Sequence, residues 1–460
     1  MNSHTYNSTD TITAITTPMG EGGLGVIRVS GSQAITLSSQ VFKKSGHSLL
    51  TVPSHTLHHG WIHNNGKMID EVIAAVFHAP HSYTGEHIIE FSCHGSPVIL
   101  KEILLLLIER GARQALPGEF TQRAYLNGKM DLMQAESVAE LIHAKSFESA
   151  QVAFEHLRGN LSSRLKKIQT SLIDLLAHVE ANLDFVEEDI PPLQKQEMIE
   201  KISQIKKEIE TILATSVRGK VLLDGVKVVL AGEPNVGKSS LFNALLSRDR
   251  AIVTHIPGTT RDVLEDSVVW EGWPILLQDT AGLRNSIDQV EQEGQRRAKE
   301  AHNQADIILY VIDGSINVLN IDLVLKEFDS KKTIIVINKS DTFSNKKTFN
   351  IPSSYQQIQT SAKSGEGIND LMKACLNLLT KKIGVPAAEG IVLTQVRHIH
   401  HMEKINEHLG RSVINAGKNQ TEEALSLDLR SALEELSQMT GESINEQVLD
   451  SIFRQFCIGK

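Results

Sequence analysis

The sequence predicts a multidomain chain: an α+β domain at the N-terminus, a discontinuous all-α helical domain, and an α/β domain inserted between the two helical pieces. Three observations predict it. Strand-like and helix-like stretches are mixed between Asp10 and Arg110. An apolar, β-branched run at Val226–Leu230 leads through a glycine-containing loop into a helical Ser239–Leu246. Apolar residues at helical spacing recur both before and after that unit. At 460 residues, the chain exceeds the roughly 250–300 at which a single core stops growing. The expected bounds are 1–118, 119–220, 221–382 and 383–460, the second and fourth being the helical pieces.

After Asp10 the chain reads TITAITTPMGEGGLGVIRVSG. Gly20-x-Gly22-x-x-Gly25 has the spacing of a dinucleotide fingerprint, but that fingerprint needs a helix to open at its end. Leu24–Ser30 alternates as a strand instead, so the glycines are read as a strand-to-strand turn. Ser32–Phe42 is a short helix, His55–Ile62 and Met68–Phe77 are strands about the turn Asn64-Asn-Gly66, and Ile88–Ser92 is a further strand. Pro97–Arg110 has helical periodicity.

The helical piece begins at residues 117–138, PGEFTQRAYLNGKMDLMQAESV, and turns helical beyond Met130. Val138, Leu141 and Ile142, then Leu172, Ile173, Leu176 and Val179, keep the 3.6 spacing. Asp189-Ile-Pro-Pro192 breaks one helix, and Gln194–Thr215 resumes with a solvated Lys/Glu face. Arg218-Gly219 and Asp224-Gly225 mark a hinge. A second helical block follows Pro386; its His398, His400, His401 and His408 lack the spacing of a known metal motif and read as a solvated helix face.

Composition excludes several classes. Apolar residues make up 41% and charged residues 22%, with no run long enough to cross a bilayer and a polar Met1–Asp10 in place of a secretory leader, so the expected location is cytoplasmic, without membrane. The net charge of −9 argues against a broad nucleic-acid footprint or a polybasic anchor. Cys93, Cys375 and Cys457 lie far apart without a C-x-x-C, so neither a disulfide framework nor a zinc site is expected.

The inserted domain carries the chemistry. Gly232-Glu-Pro-Asn-Val-Gly237-Lys238-Ser239 satisfies G-x-x-x-x-G-K-[ST]. In that loop the backbone N–H groups curl around phosphates, Lys238 reaches β and γ oxygens, and Ser239 holds Mg²⁺ at a helix N-terminus. The expected contact run is Asn235, Val236, Gly237, Lys238, Ser239 and Ser240. Asp279, Thr280, Ala281 and Gly282 follow an apolar strand, placing Asp279 to reach Mg²⁺ and the Gly282 amide to meet the γ-phosphate. Asn338, Lys339, Ser340 and Asp341 follow another strand; the Asp341 carboxylate accepts from guanine N1–H and its exocyclic amine, a pattern adenine does not offer. Ser361, Ala362 and Lys363 supply a backbone N–H to guanine O6. Four motifs in this order point to a Ras-like P-loop G domain that takes GTP.

With these motifs, the segment GEFTQRAYLNGKMDLMQAE and the ending Phe456-Cys-Ile-Gly-Lys460, the whole chain resembles the MnmE (TrmE) family of tRNA modification GTPases. The resemblance implies that the N-terminal α+β domain is tetrahydrofolate-binding-like and forms a homodimer, with nucleotide-dependent pairing of the G domains. It further implies a heterotetramer with the FAD-containing MnmG (GidA), and installation of an aminomethyl-type (carboxymethylaminomethyl) group at C5 of the wobble uridine (U34) of certain tRNAs. The one-carbon unit would come from a reduced folate, 5-formyl- or 5,10-methylene-tetrahydrofolate.

The Ras-like water-orienting glutamine is replaced by Leu283, which cannot orient water. The resemblance assigns that task to Glu291 and puts K⁺ where an arginine finger would act, a placement worth about 10³ to 10⁵ in rate in related enzymes. The implied K⁺ ligands are Asn235, Thr254, Ile256 and Thr259, within the loop Thr254, His255, Ile256, Pro257, Gly258, Thr259, Thr260 that covers the nucleotide; oxygen donors suit a hard cation. Thr260 joins Ser239 on Mg²⁺. By residue type alone, Glu291 is an ordinary carboxylate at a helix start, and Arg261 and Arg284 are loop arginines that could serve as fingers or stay solvated. The implied folate contacts are Arg28, Glu90, Lys129 and Lys460: a carboxylate for the pterin amine and basic groups for the glutamate tail. Cys457 is a candidate nucleophile, with packing in the folate site as the other reading. Two further functions share the G motifs: a ribosome-assembly GTPase, which usually appends a basic RNA-binding domain, and a GTP-dependent scaffold without chemistry of its own.

Overall fold

The computed structural model describes residues 10–44, 48–184, 195–248, 265–279, 296, 299–316, 325, 327–342, 351–383, 391–417 and 422–460. In chain order the N-terminal elements are β1 (Ile12–Ile15), β2 (Gly22–Ser30), α1 (Ala34–Val41), β3 (Phe42–Lys43), β4 (Thr56–Asn64), β5 (Lys67–Phe77), β6 (Ile88–Gly95), α2 (Pro97–Glu109) and β7 (Arg113–Gln114). Helices α3 (Glu119–Leu126), α4 (Leu132–His143), α5 (Phe147–Leu157), α6 (Asn160–Asp184), α7 (Lys195–Leu213) and α8 (Ser216–Asp224) follow. The inserted domain holds β8 (Val226–Ala231), α9 (Lys238–Arg248), β9 (Glu265–Trp270), β10 (Trp273–Asp279), β11 (Ile307–Asp313), β12 (Thr333–Asn338), β13 (Gln356–Gln359) and α10 (Ile368–Ile383). Helices α11 (Val396–Gly417), α12 (Glu422–Thr440) and α13 (Glu446–Phe453) complete the chain. Contacts group it into two compact units, one of Met1–Ile142, Ala153–Ile202 and Glu407–Lys460, the other of His143–Val152 and Ser203–Asn406.

The first unit contains a seven-stranded sheet in the order β3-β4-β5-β6-β2-β1-β7. Alternation along each strand decides the faces: Ile27, Val29, Val72, Ala74, Val76, Ile89 and Phe91 point into a core closed by Ala34 and Val41 of α1 and Leu100, Ile103 and Leu107 of α2. The residues between them face the other way, leaving Leu57 and Ile73 exposed. The glycine-rich stretch enters β2 rather than a helix, as its alternation requires. In the helical part, Leu161, Leu165, Ile168, Leu172, Leu175 and Val179 of α6 are buried, and α6 packs along α12, whose Leu425, Leu429, Ala432, Leu436 and Met439 make the facing stripe. The stripe is phased one position away from the expected Ile173, which is half exposed.

Helix α3 corrects the sequence reading, which begins helix only beyond Met130. Its eight residues carry little apolar surface, and it is fixed by ion pairs instead. Arg123, fully buried, donates to Asp10 Oδ1 (2.5 Å), Glu86 Oε1 (3.0 Å) and Glu119 Oε1 (2.9 Å). Arg113 pairs with the same Asp10 and Glu119. Burial pushes the Asp10 and Glu119 carboxyls up, but the arginine hydrogen bonds outweigh it and hold both below the usual carboxylate range. Phe120 seals the join against Ile12 and Ala14.

The second unit contains a six-stranded sheet in the order β13-β12-β11-β8-β10-β9, parallel except for the β9–β10 hairpin. Val226, Val228 and Leu230 pack on Leu241 and Leu245 of α9 and Leu371 and Leu379 of α10; Val229 and Ala231 face the opposite layer. The strand order reverses at β8, so its carboxyl end opens onto a crevice, where ligands bind in such sheets. Of the expected hinge, Gly225 follows the end of α8, but Arg218-Gly219 lies inside that helix. Gly219 is there for close approach: a Cβ on it would lie 1.7 Å from Leu393 O. His398 is a second correction. It is 2% exposed and heads the buried stripe His398, Met402, Ile405, Leu409 of α11, while His400 is exposed as expected. Among the described residues no helix is long and apolar enough to cross a membrane.

Candidate functional site

In the second unit the carboxyl ends of β8, β10, β11 and β12 bring most of the described G-motif residues together. Gly237 turns the loop at φ 96°, and a Cβ there would sit 2.3 Å from Asn338 Nδ2, so only glycine admits the neighbouring motif so closely. Lys238 Nζ donates to Gly232 O (3.0 Å) and Glu233 O (2.7 Å), curling over its own loop. Ser239 Oγ donates to Asp279 Oδ2 (3.0 Å), which places the two expected Mg²⁺-associated groups side by side. Two hard oxygen donors in contact suit Mg²⁺, which is bound by one or two such protein groups plus phosphates.

The base-recognition segment is tied to this loop. Asn338 Nδ2 donates to Val236 O (3.0 Å), and Asn338 Oδ1 accepts from Ala362 N (3.1 Å). Lys339 Nζ donates to Asn235 O (3.1 Å). Ser361 Oγ donates to Asp341 Oδ1 (2.7 Å), fixing the exposed carboxylate that would meet guanine. Ser340 N is engaged by Thr360 O (3.0 Å). Val236 is buried in the apolar core, whereas Ser240 and Lys363 have no role in these bonds. Asp313, at the end of β11, escaped the sequence reading; it accepts from Lys339 Nζ at 2.5 Å. An acid closing the apolar run of β11 was the available signal. Thr254, His255, Ile256, Pro257, Gly258, Thr259, Thr260, Thr280, Ala281, Gly282 and Glu291 lie outside the described residues.

The first unit brings together a second set. Arg28 and Glu90 are cross-strand partners on β2 and β6, and Arg28 Nε donates to Glu90 Oε1 at 2.7 Å. The guanidinium lies 5.3 Å from the ring centroids of both Tyr83 and Phe120. Tyr83 is set by its hydroxyl contact with Thr121 Oγ1 (2.8 Å). Arg28 Nη1 is buried and makes no hydrogen bond among the described residues. The chain's last residues fold onto this place: Pro117 bridges Ile458, Phe120 N donates to Lys460 O (3.2 Å) and Gly118 N to Cys457 O (3.3 Å). Lys460 is half-buried; burial lowers its ammonium pKa, the Arg28 charge lowers it further, and Glu90 and Cys457 pull the other way. Lys129 is not in this contact set, its Nζ donating to Pro80 O (3.1 Å) on the loop that carries Tyr83. The Cys457 side chain is exposed. Cys93 and Cys375 are buried and their thiols pushed up to about 12 by burial, so neither is a thiolate.

Two family descriptions match this chain. Residues 11–129 match the GTP-binding protein TrmE N-terminus, and residues 132–457, more than half of the chain, match the MnmE helical domain. The chain belongs to the MnmE family. Proteins named tRNA modification GTPase MnmE from Carboxydothermus hydrogenoformans, Moorella thermoacetica and Bacillus subtilis are 39%, 40% and 38% identical to it. Each alignment spans 98% of this chain and 99%, 99% and 100% of those relatives. Among solved structures, the G domain of the T. maritima FeoB iron transporter aligns over 34% of this chain and 98% of its own, at 27% identity and a TM-score of 0.26, a likeness too partial to carry weight. Within the MnmE frame, Arg28, Glu90 and Lys129 fall in the TrmE N-terminal match, and Cys457 closes the helical one.

Proposed function

The chain is a GTP hydrolase of tRNA modification, and we propose that it works with an FAD-containing MnmG partner in a heterotetramer. In this reading it uses a folate-carried one-carbon unit to install a carboxymethylaminomethyl-type group at C5 of the wobble uridine. The observation that carries the reading is the last residue held on Phe120 N through its carbonyl, with the Phe120 ring 5.3 Å from the guanidinium of Arg28, the partner of Glu90. Any GTPase shares the P-loop and N-K-S-D geometry, so those motifs do not separate this function from ribosome assembly or scaffolding. A one-carbon pocket does.

The residues fit the groups assigned to them. The buried Arg28 Nη1 calls for an acceptor such as a folate oxygen, and Glu90, bonded to Arg28 through Oε1, keeps Oε2 for a pterin amine. Lys460 and Lys129 supply positive charge for a glutamate tail. Cys457 stands as the candidate nucleophile, its carbonyl already holding α3. At the GTP site, Lys238 exchanges two neutral carbonyls for phosphate oxygens, a gain because charge-assisted bonds are roughly twice as strong. Bound Mg²⁺ would sit on Ser239, with Asp279 beside it and Thr260 closing from the switch loop, and would neutralise charge developing on the phosphates. Glu291 would orient the attacking water. Asn235, Thr254, Ile256 and Thr259 would hold K⁺.

Exposed Leu57 and Ile73, on the sheet face opposite α1 and α2, are the kind of surface that dimerisation through the N-terminal domain would cover. G-domain pairing driven by nucleotide completes the assembly, and the protein acts in the cytoplasm on tRNA. The test is reconstitution of wobble-uridine modification with the FAD partner, GTP and a folate donor. Modification that depends on all three supports the reading, and failure with a competent partner favours the scaffold. Turnover compared in K⁺ and Na⁺ checks the ion separately, since equal rates remove it from the mechanism.

A further inference from the structure

Two adjacent residues of the base-recognition segment grip two adjacent carbonyls of the P-loop. Asn338 holds Val236 O, and Lys339 holds Asn235 O. The first grip is neutral and self-sufficient, because Asn338 Oδ1 is engaged by Ala362 N at the same time. The second is not. Lys339 sits at φ 66°, a left-handed conformation that costs a non-glycine residue roughly 1–2 kcal/mol, and its ammonium has one neutral carbonyl of the loop to hold. Its other acceptor comes from outside both motifs: Asp313 Oδ2 at 2.5 Å.

Asp313 is itself immobilised. Its Oδ1 accepts from Ser315 N (2.9 Å) and from Ser315 Oγ (2.5 Å), and its position opposite Asn338 in the β11–β12 ladder sets its height at the sheet end. It is 8% exposed. The order of support is therefore Ser315 to Asp313 to Lys339 to Asn235. We propose that Asp313 is a positioning residue for guanine-nucleotide binding, acting through Lys339 to lock the base-recognition segment onto the P-loop. This rests on the reading of residues 232–239 and 338–341 as two parts of one GTP site.

Chemistry explains why a carboxylate is needed. An ammonium close to a loop that receives a triphosphate is drawn toward the phosphate oxygens by Coulomb attraction. A fixed counter-charge on the far side keeps Lys339 in place, leaving its apolar stem to lie along the base. An asparagine cannot substitute. Its single carbonyl oxygen can serve Lys339 or Ser315 N, and its amide then points a donor at the other donor.

The test uses the full chain and fluorescent N-methylanthraniloyl-GDP, read by equilibrium titration and stopped-flow dissociation. Asp313→Asn should weaken binding about tenfold, the loss of one charge-assisted bond, mainly through faster dissociation. Lys339→Met should weaken it by at least as much. The double variant should be no weaker than Lys339→Met alone, because Asp313 has no other route to the nucleotide. A merely structural role for Asp313 would persist in the Lys339→Met background, and an undiminished effect there overturns the inference, as does unchanged dissociation in Asp313→Asn. Should Asp313→Asn fail to fold, Ser315→Ala, which only loosens the carboxylate, gives a smaller shift in the same direction and enters the same cycle; no shift overturns the inference. A wild-type chain that binds no GDP points instead to failure of the GTP-site reading.

Discussion

Replacing Gly459 by alanine should uncouple the chain terminus from the Arg28–Glu90 cluster while leaving the nucleotide site alone. Gly459 has φ 99°, and a Cβ there would lie 2.6 Å from Ile15 O and 2.9 Å from Thr16 Cα, both main-chain atoms at the end of β1. The left-handed conformation costs an alanine roughly 1–2 kcal/mol, and overpacking against backbone adds about 1–3 kcal/mol. Against this, the tail beyond Phe456 is held by two long backbone hydrogen bonds, to Cys457 O and Lys460 O, each contributing about 1 kcal/mol. Ile458 is half exposed and adds little. The strain exceeds the restraint, so the last four residues detach. Phe453 and Phe456 stay buried in their own cluster, so the fold holds.

Loss of the Lys460 ammonium from the cluster removes one charge-assisted contact to an anionic ligand, about 1.5–3 kcal/mol, or roughly 10- to 100-fold in affinity. The assay is fluorescence titration of a reduced folate into wild type and Gly459→Ala, with GTP turnover and thermal midpoint measured alongside. Folate affinity should drop within that range with turnover and midpoint nearly unchanged. Equal folate affinity in the two proteins would falsify the role assigned to the terminus.

Three other outcomes are expected. Asp341→Asn replaces a carboxylate held by Ser361 Oγ with an amide that points a donor at the guanine amine, so GTP affinity should fall by about 10²-fold or more while xanthosine triphosphate gains; an unchanged preference between the two nucleotides would sink this reading of Asp341. Asp10 and Glu119 have folded pKa values below the ordinary carboxylate range, so their stabilisation is complete above about pH 5 and is lost as pH falls through the lowered values. Glu119→Gln, leaving buried Arg123 short of a charged partner, should cost about 3 kcal/mol at neutral pH and flatten the acid limb of a circular-dichroism unfolding curve. His94 is raised above its ordinary value by the hydrogen bond to Asp70 (2.6 Å) and by that carboxylate's charge. Its pairing contributes below the ordinary histidine pKa and fades as pH rises through the raised one. Asp70→Asn should return the His94 titration, followed by NMR, to about 6.5.

The G motifs were legible because each demands a particular side chain at a fixed offset, and Asp341, Asn338 and Lys238 stand where the spacing placed them. Strands β4 to β6 were legible through alternation. Helix α3 was not, since its eight residues are held by Arg123, Asp10, Glu86 and Glu119, partners brought together from three separate stretches. Composition also misread Gly219 as a hinge: a glycine needed for close approach by Leu393 O looks the same in sequence as one needed for flexibility. His398 was misjudged for the converse reason, a polar name occupying an apolar phase of its helix. Asp313 left only a weak signal, an acid closing an apolar strand, because no fixed offset in sequence ties it to the N-K-S-D segment it supports.

The two sites differ in how their charged groups are kept. Lys238 is parked on Gly232 O and Glu233 O, so the loop has its curled form before any phosphate arrives, and binding exchanges partners rather than ordering chain. Arg28 is pinned at Nε by Glu90 and lies near two ring faces, yet Nη1 has no partner among the described residues. Leaving a buried donor unmade costs about 1–3 kcal/mol, and a ligand acceptor there recovers that cost in addition to its own bond. The Arg28 cluster therefore offers an anionic or carbonyl-bearing ligand a buried donor held beside a fixed carboxylate.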